Sequence, residues 1–173
     1  MLTQYLEIKG QNPDALLFYR MGDFYELFFE DAIKAAPVLE IQLTSRDKNA
    51  ENPIPMCGVP HHSVNGYLQK LIANGFKVAL CEQVEDPAHA KGIVKREVVR
   101  VVTPALIGDP DLVSEDSTNL LVALESLGDG SIDVATVDLL AGEVRHGILA
   151  DSKELLDFLL QVPPKEFLIS SSV

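Results

Sequence analysis

What most constrains this chain is an alternation. Short apolar runs of strand length take turns with segments whose apolar residues recur at helical spacing, which calls for a sheet with helices laid against it. Leu16-Leu17-Phe18-Tyr19 reads as a short buried strand that ends in a turn at Met21-Gly22-Asp23. A helix is expected next, with Asp23 as its N-cap, Glu26 closing a capping box, and Phe28, Ala32, Ala35, Ala36 and Leu39 on one face. Pro37 falls near its far end and should stop or kink it. Ile41 to Thr44 reads as another short strand, and Ser45 to Pro55 as a polar, proline-bounded surface loop. The clearest helix follows, with Ser63 as N-cap, Val64, Tyr67, Leu68, Leu71 and Ile72 as its stripe, and Gly75 at its end. Lys77 to Cys81 and Val94 to Val102 then read as strands, the second carrying Arg96 and Arg100.

Gly108 to Thr118 lacks apolar periodicity and is the expected connection between two units. Beyond it Leu120 to Leu124, Ile132 to Leu139 and Glu143 to Leu149 read as successive strands, with Asp129-Gly130 a hairpin signal. An amphipathic helix is expected from about Asp151 to Val162, and a further strand from Glu166 to Ile169. A strand normally needs neighbours, so a chain ending just after this one reads as cut rather than finished. With 47% hydrophobic residues over 173 positions, there is enough apolar material for an ordinary domain and a small second one.

Composition excludes several functions. There is no apolar run of membrane-spanning length and no basic leader before an apolar stretch, so a cytoplasmic protein without a membrane partner is expected. Cys57 and Cys81 are too far apart for a redox pair, and Cys57 with His61 and His62 lacks a fourth ligand and a familiar zinc spacing. No phosphate loop, dinucleotide fingerprint, HExxH helix or GxSxG elbow is present, so no catalytic, cofactor or metal residues are assigned. Adjacent Glu30 and Asp31 point about 100° apart on a helix and read as a solvated face.

The net charge of -12 opposes binding to nucleic acid, but its distribution is uneven: residues 1–110 carry 11 Lys+Arg against 14 Asp+Glu, a net of -3, and residues 111–173 carry 3 against 12, a net of -9. The asymmetry suggests two units with different partners. One reading is therefore an interaction module whose acidic last third docks a basic partner.

The unusual segment is Arg20-Met21-Gly22-Asp23-Phe24-Tyr25-Glu26-Leu27, where two aromatics and two acids crowd a turn beside a glycine. Leu17 to Leu27 resembles the signature of the N-terminal domain of MutS proteins, whose Phe-x-Glu element reads a DNA mismatch. Pro53-Ile54-Pro55-Met56-Cys57-Gly58-Val59-Pro60-His61-His62, then Cys81-Glu82-Gln83, then Val98 to Pro104 match the same family in the same order. The resemblance covers about the first 125 residues, and the rest is similar to the opening of the family's connector domain. The chain departs from the pattern at Ala105, where the family has glycine after the proline, and in a loop at 45–49 less basic than a groove-side loop.

The resemblance implies an α/β mismatch-recognition domain, a mixed sheet flanked by helices, over residues 1–118, and over 119–173 a partial connector resembling ribonuclease H. It implies that Phe24 wedges into the minor groove at a mispaired or unpaired base, that Glu26 hydrogen-bonds the displaced base, and that Met21, Arg46 and Met56 face DNA. Arg96 would contact phosphate or sit on the outer face of its strand. On periodicity alone Phe24 reads instead as a core or staple aromatic and Glu26 as a capping acid, Arg46 as a flexible surface arginine, and the two methionines as core. The resemblance further implies mismatched double-stranded DNA as partner, a homodimer, a MutL-type repair partner and nucleoid association when at work. It places ATP and Mg with a full-length ATPase and no cofactor here, so this chain is expected to be a DNA-binding fragment and not an enzyme. The connector's likeness to ribonuclease H also raises a nuclease reading through Asp133 and Asp138.

Overall fold

The computed structural model describes residues 1–47, 51–86, 92–105 and 119–170. They form two compact units, 1–102 and 103–173. The stretch expected to connect two units, Gly108 to Thr118, lies outside the described residues.

The first unit is a six-stranded mixed sheet in the order β3-β4-β2-β1-β5-β6. Its strands are β1 (Ala15–Met21), β2 (Phe24–Phe28), β3 (Thr44–Arg46), β4 (Ile54–Pro60), β5 (Lys77–Gln83) and β6 (Arg96–Val102). Only β1 and β5 among the paired neighbours run parallel. Helix α1 (Leu2–Gln11) covers one face, its Tyr5 ring meeting Tyr19 and Phe28 edge-on at 5.5 and 5.1 Å. Helix α2 (Phe29–Leu39) lies against the other face, where the Cys57 thiol donates to the Ala32 carbonyl at 3.8 Å, and α3 (Val64–Ala73) packs beside it through buried Leu68, Leu71 and Ile72. Such α/β layering matches the expected fold class.

Three local expectations are corrected. The segment after Asp23 is not a helix but strand β2, because pairing with β1 on one side and β4 on the other satisfies its backbone at long range and outweighs the local capping pattern. The helix begins only at Phe29, whose φ of 54° turns the chain from strand to helix without an intervening loop. Asp31 is not on a solvated face. It is 4% exposed, accepts from the Leu17 N–H at 2.9 Å and the Tyr5 hydroxyl at 3.3 Å, and pairs with Lys9 at 2.9 Å. The short strand expected at 41–44 is Thr44–Arg46, so part of the expected loop after it is laddered to β4.

The second unit holds β7 (Leu120–Ser126), β8 (Ile132–Asp138), β9 (Glu143–Leu149), α4 (Ser152–Gln161) and β10 (Glu166–Ile169). Its sheet runs β10-β7-β8-β9, with β10 parallel to β7 and the others antiparallel. Asp151 caps α4 through bonds from the Lys153 and Glu154 N–H groups, both 2.9 Å.

Candidate nucleic-acid interface

The site is built on the β1–β2 hairpin. Met21 pairs with Phe24, leaving Gly22-Asp23 as a two-residue turn. Gly22 has φ of 59° at the first central position, where a type II′ hairpin turn calls for glycine. The tip is pinned from outside the hairpin, since the Asp23 carbonyl accepts from the His61 N–H at 2.9 Å. Phe24 sits where the turn ends, 47% exposed despite its size.

Strand register then decides which side chains share a face, because residues paired across a ladder point the same way and positions two apart along a strand do too. Met21 pairs with Phe24, Tyr19 with Glu26, Glu26 with Gly58, and Phe28 with Met56. From β4 the same face continues through Ile54 to Arg46 on β3. From β1 it continues through Cys81 and Gln83 on β5 to Val98 and Arg96 on β6. Phe24, Glu26, Met21, Arg46, Met56 and Arg96 therefore lie on one face of the sheet, the face partly covered by α1, although they come from five strands.

Their environments differ. Glu26 is half-buried, and its Oε2, itself shut off from solvent, has no hydrogen-bond partner among the described residues. Burial raises its pKa above the ordinary carboxylate value, while the positive charges of Arg46 and Arg96 pull it partly back. Gly58 opposite keeps that flank open: a Cβ there would meet the Tyr25 carbonyl oxygen at 3.3 Å and the Glu26 Cγ at 3.7 Å. Arg46 is partly exposed, its guanidinium 6.0 Å from the Phe28 ring centre. Met21 and Met56 are half-buried along the edge of the core.

Arg96 is turned inward. It is 8% exposed and lies over the Tyr19 ring at 4.9 Å, with its nitrogens bonded to the carbonyls of Arg20 at 2.6 Å and Val94 at 2.8 Å. It is not on the outer face of its strand, and its donors are taken up inside the protein.

On the opposite face the hairpin is braced by Arg20, which stacks over Tyr25 at 5.6 Å and pairs with Glu82 at 3.7 Å. The Tyr25 hydroxyl also donates to Glu82, and burial, aided by that bond, pushes its pKa up to about 12. Sequence reasoning missed α1, and with it Gln4, which accepts from the Tyr19 hydroxyl and from Arg96 at 3.4 Å. The stripe Met1, Tyr5, Ile8 at i, i+4, i+7 was the signal for that helix.

Other candidate groups have ordinary explanations. Cys57 is buried, its pKa pushed up to about 11 by burial, and bonds toward α2, whereas the His61 ring faces the Asp23 carbonyl at 3.3 Å. Asp133 and Asp138 sit an odd number of residues apart on β8 and so project from opposite faces. Asp133 pairs with His146 at 2.6 Å, and Asp138 caps the turn through the Leu140 and Ala141 N–H groups.

The hairpin thus holds one aromatic ring out of the protein, two residues from an acid whose Oε2 has no hydrogen-bond partner among the described residues. The family profile described as MutS domain I matches residues 1–111. The chain is 54% identical over 172 residues to the DNA mismatch repair protein MutS of Desulfosudis oleivorans, 50% over 171 to that of a Geobacillus species and 47% over 173 to that of Staphylococcus haemolyticus. These matches cover 99 to 100% of this chain but 19 to 20% of the relatives, so the chain spans about one fifth of their length. This chain belongs to the MutS domain I family.

Proposed function

We propose that this chain recognises mispaired or unpaired bases in duplex DNA, with Phe24 as a wedge entering the base stack from the minor groove and Glu26 meeting the base it displaces. The observation carrying this reading is the pairing of an exposed ring at the hairpin tip with a half-buried carboxyl two residues on, whose second oxygen has no partner among the described residues. Opening a base step costs a few kcal/mol, and the cost is least where the pair is already poorly held, so a wedge selects defects without reading sequence. Glu26 accepts from a base N–H when ionised and donates to a ring nitrogen when protonated. Its raised pKa, and the dense phosphate charge of bound DNA, both favour the donor form. As a carboxylate it is repelled by intact duplex, which weakens unproductive binding.

Arg46 is the partly exposed cation of this face, and Met21 and Met56 supply apolar contact beside the wedge. Residues 1–118 form the recognition domain in this reading and 119–173 the start of a connector resembling ribonuclease H. The longer protein works as a homodimer with a MutL-type partner and carries an ATP- and Mg-dependent ATPase elsewhere; it is cytoplasmic and joins the nucleoid when at work. With a net charge of -12 this chain alone binds DNA weakly. The test is binding of the full-length protein, wild type and Phe24→Ala, to G·T and matched duplexes over a salt series. The reading expects the substitution to erase the preference for G·T while the salt slope stays the same. A preserved preference refutes it.

A further inference from the structure

We infer that Arg96 is a positioning residue for the reading hairpin, its guanidinium holding the end of β1 so that Phe24 and Glu26 keep their places; this rests on the reading proposed above. The parallel ladder between β1 and β5 ends at Tyr19 and Cys81, yet β1 runs on to Met21. Beyond the ladder the Arg20 carbonyl takes its donor from a side chain instead, the Arg96 Nε at 2.6 Å.

One Nη of the same guanidinium donates to Val94 at 2.8 Å and to Gln4 at 3.4 Å, and the other reaches the Met21 sulfur at 3.5 Å. Its central carbon lies over the Tyr19 ring, 4.9 Å from the ring centre. A single planar group thus ties the edge strand, α1 and the last two residues before the turn. Only a rigid fork with several donors does this, and a lysine, with one flexible ammonium, cannot reproduce it.

The arrangement answers a mechanical need. A ring driven into a base stack is pushed back, and a two-residue hairpin braced on one face alone would yield. Arg20 braces the face away from Phe24, and Arg96 braces the face Phe24 occupies. The guanidinium also stands near enough to Glu26 to favour its ionised form. The charged or titratable groups that share this face with Glu26 are Tyr19 from β1, Arg46 from β3, Cys81 from β5, Arg96 from β6 and Tyr5 from α1, while β4 contributes Gly58 and Met56 and α1 also the neutral Gln4.

Two variants separate the roles, Arg96→Gln and Arg96→Lys, each read by hydrogen exchange at residues 19–26, by carbon-13 titration of the Glu26 carboxyl, and by G·T against matched-duplex affinity in the full-length protein. Loss of a charge-assisted bond predicts exchange at 19–26 faster by about tenfold in both variants, with α3 amides unchanged. The Glu26 midpoint rises in Arg96→Gln and stays near wild type in Arg96→Lys, and both lose mismatch preference. If Arg96→Gln also loses protection in α3, the lysine variant decides. Wild-type exchange at 19–26 in Arg96→Lys overturns the inference, as does a loosened hairpin with undiminished mismatch preference. A wild-type protein with no mismatch preference instead sinks the proposed function, and the exchange result stands apart from it.

Discussion

The two units spend their apolar residues differently. In the first, Tyr5, Leu17, Phe18, Tyr19, Leu27 and Phe28 are all sealed between a sheet and helices on both sides. In the second, α4 has no buried residue, and Val144 on β9 and Leu160 on α4 are 72% and 73% exposed. A sheet covered on both faces supports an aromatic held out at a hairpin tip, since the ring's exposure is offset by a dense core directly beneath. Among the described Phe and Tyr residues of the first unit Phe24 alone is exposed, although the aliphatic Leu6, Ile93 and Val99 are 53, 57 and 57% exposed, whereas in the second unit the exposed apolar side chains single out no site.

This contrast breaks most readily at Phe28, which shares the sheet face of Phe24 but lies four residues further in. Phe28→Ala should cost the first unit about 3–5 kcal/mol in denaturant unfolding, while a loss under about 1 kcal/mol would show that the core is not what holds the hairpin. Next is Asp31→Ala, which leaves the Lys9 ammonium with only the Pro13 and Ala15 carbonyls and takes the carboxylate acceptor from the Leu17 N–H and the Tyr5 hydroxyl. A cost of about 3 kcal/mol is expected by the same measurement.

Glu26→Gln sharpens the comparison in the opposite direction. Because the folded protein raises the pKa of Glu26, this group favours the folded state below its ordinary value of 4.5 and loses that contribution as pH rises through the higher folded value. The glutamine variant should therefore melt above wild type at pH 7 and lose that advantage below pH 4.5. It should also bind matched duplex more tightly, the repulsion being gone. The smallest effect is expected for Val144→Thr in the second unit, within about 0.5 kcal/mol of wild type.

Much of this was legible in the sequence. The Val64 to Ile72 stripe fixed α3, and β7 to β10 with α4 fall close to where alternation and turn residues put them. The hairpin was not legible, because Asp23-x-x-Glu26 fits a capping box as well as it fits a turn followed by a strand, and the tie is broken by pairing with β1 and with the distant β4. Period two was nevertheless present, with buried Tyr25 and Leu27 alternating with the more exposed Phe24 and Glu26. The resemblance brought six site residues together without saying how. It left Arg96 facing outward or toward phosphate, since the role of a buried guanidinium depends on a carbonyl 76 positions away in the chain.

The most direct measurement is a structure of the full-length protein bound to a G·T duplex. The account predicts the Phe24 ring inserted at the mismatched step from the minor groove, with a Glu26 oxygen about 2.6–3.2 Å from the displaced base. An unbroken base stack, with the ring resting on sugar and phosphate or folded back on the protein, would contradict it.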